Sequence, residues 1–178
     1  MTDRRIAIAR PEASDAATLS ELAKTAFTQT YGPHNTEADL AAHLDKTYSL
    51  AAVEANFAAS DLHYVMATVD EEAAGFGLVA VGSACESVSA GHPAEVKHLY
   101  VLESFQRLRL GWRLMDECCH IAQASGCDAL WLGVWEQAHW ARRFYERYGM
   151  KNVGTIEFTL VADLQTDIVM SLPLAPAG

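Results

Sequence analysis

The sequence predicts a single mixed α/β domain spanning residues 1–178, and three observations carry that prediction. Seven strand-like segments are interleaved with five stretches of helical apolar spacing. From residue 95 to 149 strand and helix alternate, and no repeat or linker interrupts the chain. At 178 residues the chain is the size of one domain and long enough to bury a hydrophobic core.

The elements follow in order. Arg4 to Arg10 alternates with period two and ends at Pro11, giving a first strand. Ser14 stands as the N-cap of a helix over Asp15 to Thr30, with Ala16, Leu19, Leu22, Ala23, Ala26 and Phe27 at helical spacing. Gly32 and Pro33 mark a turn, and two further helices are predicted over 36–45 and 49–59. Leu62 to Val69 and Ala73 to Val81 are strands joined by an acidic turn, and a loop then leads to a strand over Glu95 to Leu102. Ser104 to Ser125 is the longest helical stretch, with Leu108, Met115, Cys119 and Ala122 on or near one face and Gly126 as its C-cap. Asp128 to Trp135 is a largely buried strand, and Gln137 to Tyr148 is a helix closed by Gly149. Two strands, Asn152 to Leu160 and Asp167 to Leu172, flank a turn predicted at Ala162 to Thr166.

Strand–helix–strand–helix over 95–149 implies a right-handed crossover. Ligands of such units sit at carboxyl ends of strands, near helix N-termini, which directs attention to Glu103 to Gly111.

Composition narrows the function. The 51% hydrophobic and 20% charged content is that of a globular chain rather than a disordered one. The net charge of −10 repels nucleic acid and anionic lipid, so neither is an expected partner, and it suits a cationic substrate. No apolar run reaches the roughly 18 residues of a membrane span. The opening residues Met1 to Arg5 lead into an alternating segment rather than an apolar one, so no secretory signal and a cytoplasmic location are expected. The four cysteines, Cys85, Cys118, Cys119 and Cys127, show no C-x-x-C pair and read as reduced thiols. His92, His98, His120 and His139 lack ligand spacing with acids or thiols, so no metal is expected. Neither a phosphate-binding G-x-x-x-x-G-K-[ST] loop nor a G-x-S-x-G nucleophile elbow occurs.

The run from Leu99 to Met115 resembles motif A of the GNAT family of N-acetyltransferases, a strand followed by Q/R-x-x-G-x-G/A opening a helix. Gln106 and Gly111 match its first and last fixed positions, and Arg109 replaces the middle glycine. The run from Leu130 to Met150 is similar to motif B of that family. Val134, Ala141, Phe144, Tyr145 and Gly149 match it, while Ala138 stands where the family has asparagine. The phrase from Leu130 to Glu136 and the segment from Ala26 to Tyr48 look most like the PaiA-type polyamine acetyltransferase branch.

The resemblance implies a GNAT acyl-CoA N-acyltransferase fold, a mixed and mostly antiparallel sheet of about seven strands flanked by helices. It also implies transfer of acetyl from acetyl-CoA to a primary amine of a small molecule, polyamine-like or amino-acid-like, or of a peptide, directly in a ternary complex. Backbone groups of Leu99, Tyr100 and Val101 are then expected to bond the pantetheine arm of the cofactor. Gln106, Arg107, Leu108, Arg109, Leu110, Gly111 and Trp112 are expected around its pyrophosphate, with Arg107, Arg109 and Arg113 supplying charge. Tyr145 matches the tyrosine that serves as general acid at the CoA sulfur, and Glu95 the glutamate used as base in some members. His98 is a rival base, placed on the opposite face from Glu95 by strict strand alternation. Tyr31 and Tyr48 fall in the region covering the acceptor, where aromatic rings form a cation–π surface for an amine. The family commonly forms homodimers. The departures at Arg109 and Ala138 leave open a second reading, a GNAT-fold module that binds acyl-CoA or a metabolite without turnover.

Overall fold

The computed structural model describes residues 4–160 and 163–175. In chain order the elements are β1 (Ile6–Ala9), α1 (Ala16–Tyr31), α2 (Glu37–Tyr48), α3 (Leu50–Ala58), β2 (Leu62–Val69), β3 (Glu72–Val81), β4 (Pro93–Val101), α4 (Leu110–Ala124), β5 (Ala129–Trp135), α5 (His139–Tyr148), β6 (Lys151–Leu160) and β7 (Asp163–Pro173). The strands form one sheet in the order β1-β2-β3-β4-β5-β7-β6. β1 is antiparallel to β2, and β7 is antiparallel to both β5 and β6, whereas β4 and β5 pair in parallel. This is the mixed, mostly antiparallel sheet flanked by helices that the sequence predicted.

The chain divides into two compact units, residues 1–78 with 98–118 and residues 79–97 with 119–178. In the first, the apolar stripe of α1 places Leu19, Leu22 and Phe27 in a core shared with Tyr48, Val53, Phe76 and Leu78. Burying each large apolar side chain of this kind contributes about 1.5 to 3 kcal/mol. Gly75 lies so close to β4 that a Cβ there would sit 2.7 Å from the Tyr100 carbonyl oxygen. In the second unit, Trp131 and Ala129 of β5 pack with Val169 of β7 and Val88 of the β3–β4 loop. Trp131 Nε1 donates to the Ser83 carbonyl at 2.8 Å. Gly149 closes α5 at φ 112°, a left-handed C-cap that glycine adopts without steric cost.

Several boundaries differ from the sequence prediction, each for a local reason. Ser14 does not cap α1. It lies in a 3₁₀ turn, Ala13–Asp15, and the entry is held by the Glu12 N–H donating to Asp15 Oδ2 at 2.9 Å. The caps of the next two helices are Thr36, which accepts from the Asp39 N–H, and Ser49, which accepts from the Ala52 N–H. The long helix begins at Leu110, not Ser104, because a 3₁₀ turn (Glu103–Phe105) and an irregular turn precede it. Its core face runs Leu110, Leu114, Met115, Cys118, Ile121 and Ala122, so Cys118 rather than Cys119 is the buried member of that pair. Asp163 to Thr166 belong to β7 instead of a turn, because β6 pairs them from Leu160↔Asp163 to Glu157↔Thr166. Met1 to Asp3 and the Ala162 end of that predicted turn lie outside the described residues.

One register feature bears on the site. The Gly82 N–H donates to Pro93 O at 2.9 Å, and the Leu102 N–H donates to Ala74 O at 2.9 Å. Eight residue steps on β3 are thus matched by nine on β4, so β4 carries a bulge. Strict alternation fails across it, so strand parity does not set Glu95 and His98 on opposite faces.

Candidate functional site

The β4–α4 connection has the backbone geometry of an anion-binding turn. Gln106 enters it with φ −60° and ψ 155°, Arg107 has φ 75°, and Arg109 has φ 59°. Leu108 between them keeps a negative φ, so the backbone alternates in sign along the turn. Such alternation brings successive N–H groups to one concave side, the arrangement that binds phosphate oxygens. The first N–H groups of α4 follow directly. Holding a non-glycine residue in the left-handed region costs about 1 to 2 kcal/mol, so this turn is kept at an energetic cost. Arg107, Arg109 and Arg113 are all exposed, and no acidic residue lies between Gln106 and Arg113. These residues fit the pyrophosphate of a CoA. Arg107 and Arg109 lie in the turn before the helix rather than on it.

The end of β4 carries an aromatic cluster. Tyr48 is 2% exposed, and its hydroxyl lies 3.2 Å from His98 Nδ1. Burial pushes its phenol well above the usual range, opposed by a hydrogen bond with Tyr100 that favours the charged form. The Tyr48 hydroxyl thus links His98 and Tyr100. The backbone of Tyr48 is pinned as well, since Ser20 Oγ donates to its carbonyl at 2.6 Å. Tyr31 is half-buried, edge-on to Tyr100 at a ring separation of 6.3 Å. His43 stacks on Phe27 at 4.4 Å, and burial lowers its pKa, with a smaller contribution from Lys46. Its Nε2 is buried and has no hydrogen-bond partner among the described residues.

In the second unit, Ser83 Oγ donates to Glu95 Oε2 at 2.7 Å, and Lys97 Nζ lies 3.6 Å from the same oxygen. Tyr145 is half-buried on α5, its ring edge-on to Phe144 at 5.1 Å, and its carbonyl accepts from Gly149 and Met150. Ala138 is fully buried at the N-cap of α5, where it offers no side-chain oxygen to the first helical turn. Asp167 of β7 is half-buried, and burial pushes its carboxyl up to about 6. Among the described residues no group of three or more His, Cys, Asp or Glu could hold a metal ion.

A family model described as the acetyltransferase (GNAT) family matches residues 18–150. The chain belongs to the GNAT family. This GNAT chain is an acetyl-CoA-dependent N-acetyltransferase by that membership. A relative from Lactobacillus delbrueckii subsp. lactis, an uncharacterized N-acetyltransferase in the pepI 3′ region, is 28% identical over 153 residues, covering 86% of this chain and 88% of that one. Among solved structures, the PaiA N-acetyltransferase of Thermoplasma acidophilum in complex with coenzyme A superposes with TM-score 0.78 at 21% identity, over 95% of this chain and 99% of that chain. The ribosomal-protein-S18-alanine N-acetyltransferase of Escherichia coli gives TM-score 0.70 at 18% identity, over 98% and 97% of the two chains. At these identities the structural likeness speaks to the fold.

Within the GNAT chain, the expected cofactor segments are continuous. Leu99, Tyr100 and Val101 end β4, and Gln106 to Trp112 form the turn and the first residues of α4. Tyr31, Tyr48 and Tyr100 meet in one cluster, whereas Glu95 and Tyr145 stand on separate elements of the second unit. Sequence reasoning missed the tie between Tyr48 and His98, which lie 50 residues apart. It also missed Asp167, for which one signal existed: aspartate is depleted in strands, yet this one directly precedes Ile168, Val169 and Met170.

Proposed function

We propose that the protein transfers the acetyl group of acetyl-CoA to a primary amine of a small molecule, polyamine-like or amino-acid-like, or of a peptide, directly within a ternary complex. The observation that carries this reading is the Gln106–Gly111 turn, whose alternating backbone opens α4 with exposed guanidinium groups. Acetyl-CoA, when bound, supplies the thioester. The chain supplies positioning and proton transfer, and in-line binding of two reactants accounts for much of the rate. In this reading the backbone of Leu99, Tyr100 and Val101 lies along the pantetheine arm, and Arg107 and Arg109 contact the phosphates. Tyr145 donates a proton toward the departing sulfur, as its place in motif B implies.

Two groups compete for the base. Glu95 presents a carboxylate held by Ser83 and Lys97. His98 stands at the end of the Tyr100–Tyr48 chain, through which a proton taken up at the Tyr100 oxygen can pass to Nδ1. Tyr48 then acts as a positioning residue for His98, and Tyr31 is the ring offered to the acceptor. The PaiA-type polyamine branch is the preferred acceptor class, supported by the resemblance of the segments from Ala26 to Tyr48 and Leu130 to Glu136 and by the net charge of −10. A cytoplasmic location and a homodimer belong to the same proposal, and sedimentation checks the second.

The test is thiol release from acetyl-CoA across a panel of polyamines, amino acids and N-terminal peptides. Acetylation of one class is expected, and no thiol release with any amine would overturn the proposal. Glu95→Gln and His98→Asn then separate the bases, since loss of the true base abolishes the acidic limb of the pH–rate profile.

A further inference from the structure

One titratable group near the carboxyl end of β5 has no use in the chemistry above. Asp167 pairs with Trp135, the last residue of β5, on one side and with Ile156 of β6 on the other. Glu95 lies opposite Trp131, and Trp131 lies opposite Ser171. Asp167 is four residues from Ser171 along an unbroken register with β5, so Asp167, Trp131 and Glu95 share one face of the sheet. That face is apolar where Trp131, Val169 and Ile156 pack. At its β5 carboxyl end it terminates in the Asp167 carboxylate. The side chain lies across Gly133, where an added Cβ would meet Oδ2 at 3.1 Å and Ile156 Cδ1 at 3.4 Å. Glu95 has Ser83 and Lys97 as partners. Asp167 has neither a hydrogen bond nor an ion pair to its carboxylate among the described residues.

A carboxylate half out of water with no counter-charge is an unfavourable arrangement unless something cationic arrives. The parallel β4–β5 pair sets where that is, because ligands in such sheets gather at strand carboxyl ends. The amine that reacts must give its proton to the base, Glu95 or His98, and a further carboxylate held against it would oppose that loss. The charge therefore suits an ammonium group that stays charged throughout.

We propose that Asp167 is the acceptor-anchoring residue, its carboxylate binding the ammonium group of a linear polyamine that is not acetylated. The inference rests on the reading of the chain as an amine acetyltransferase, and narrows the acceptor to a molecule with two or more amines. Gly133 contributes by leaving room for the carboxylate to lie flat on the sheet. The anchor sets acceptor affinity, while the reacting nitrogen meets the base.

The experiment is calorimetric titration of spermidine and of butylamine into the CoA-saturated protein, alongside acetylation kinetics with both amines. Wild type is expected to bind spermidine. Asp167→Asn, which keeps the side-chain shape, is expected to weaken spermidine binding about 30-fold, the usual scale for removing one partner of a desolvated charge pair. Its KM for spermidine should rise by a similar factor with kcat little changed, and butylamine should be unaffected. Gly133→Ala keeps the charge but displaces it, and should weaken spermidine several-fold. Equal spermidine binding by wild type and Asp167→Asn, or no binding by wild type, would overturn the anchor. So would an equal fall in kcat for both amines, which would make Asp167 a base. If wild type binds spermidine through Asp167 yet releases no thiol, the acetyl-transfer reading fails and the anchor stands. If wild type acetylates amines and the Asp167 variant matches it, the reading stands and the anchor falls.

Discussion

Replacing Asp167 by Asn should make the folded protein more stable at neutral pH. Burial raises the folded carboxyl from its ordinary 3.8 to about 6. A carboxyl raised on folding favours the native state below the ordinary value, and that contribution is lost as pH rises through about 6. Two pH units correspond to roughly 3 kcal/mol at about 1.36 kcal/mol per unit. Because the carboxyl is only partly buried, solvent screening removes half or more of that, leaving about 1 to 1.5 kcal/mol. Asparagine never ionises, so the variant should melt about 2 to 6 °C above wild type at pH 8. The gap should shrink as pH is lowered toward 4 and close only below the ordinary value of 3.8, where the wild-type carboxyl is protonated in both states. Thermal unfolding followed by circular dichroism at pH 4, 6 and 8 measures this directly. An unchanged or lower Tm at pH 8, or a gap independent of pH, would mean that Asp167 has a compensating partner and that the desolvation argument is wrong. A residue that lowers stability while serving a ligand is the trade-off expected at a binding site.

Other substitutions probe other features. Gly75→Ala puts a Cβ 2.7 Å from the Tyr100 carbonyl oxygen, a backbone atom that cannot rotate away, so a loss of about 3 kcal/mol or more is expected by denaturant titration. Asp70 and Glu71 form the β2–β3 turn with φ 51° and 71°, and Glu71→Gly should raise stability by up to about 1 kcal/mol in the same assay. Arg109→Ala keeps the strain of φ 59° while removing the guanidinium, so CoA affinity measured by calorimetry should fall about threefold to tenfold, more at low salt than at high. Tyr145→Phe should lower kcat with CoA binding nearly intact, and unchanged turnover would remove Tyr145 from the mechanism.

Most elements were legible because their signals are local. β2 is observed over the predicted Leu62–Val69, and β3 and β5 differ from prediction by one residue at a single end. The place of the motif turn was equally legible, since Gln106, Arg109 and Gly111 are close in sequence and stand between a strand and a helix. Its conformation was less so. Glycine is the residue that signals positive φ, and here two arginines adopt it without that signal. The bulge on β4 was invisible too, because one extra residue in a strand changes no local propensity and shows only against the partner strand.

The division has a physical basis. The sequence by itself determined the alternation of strands and helices, the crossover unit from 95 to 149 and the chemical types available in it, because periodicity, caps and breakers act over a few residues. Only the tertiary structure decided which of those groups meet. Tyr48 reaches His98 across 50 residues because α2 ends where β4 passes. Asp167 loses its water because Gly133 and Ile156 flank it from two neighbouring strands. A side chain's proton affinity and partners follow from what surrounds it in space, and strand pairing over such separations cannot be read from the residues beside it in the chain.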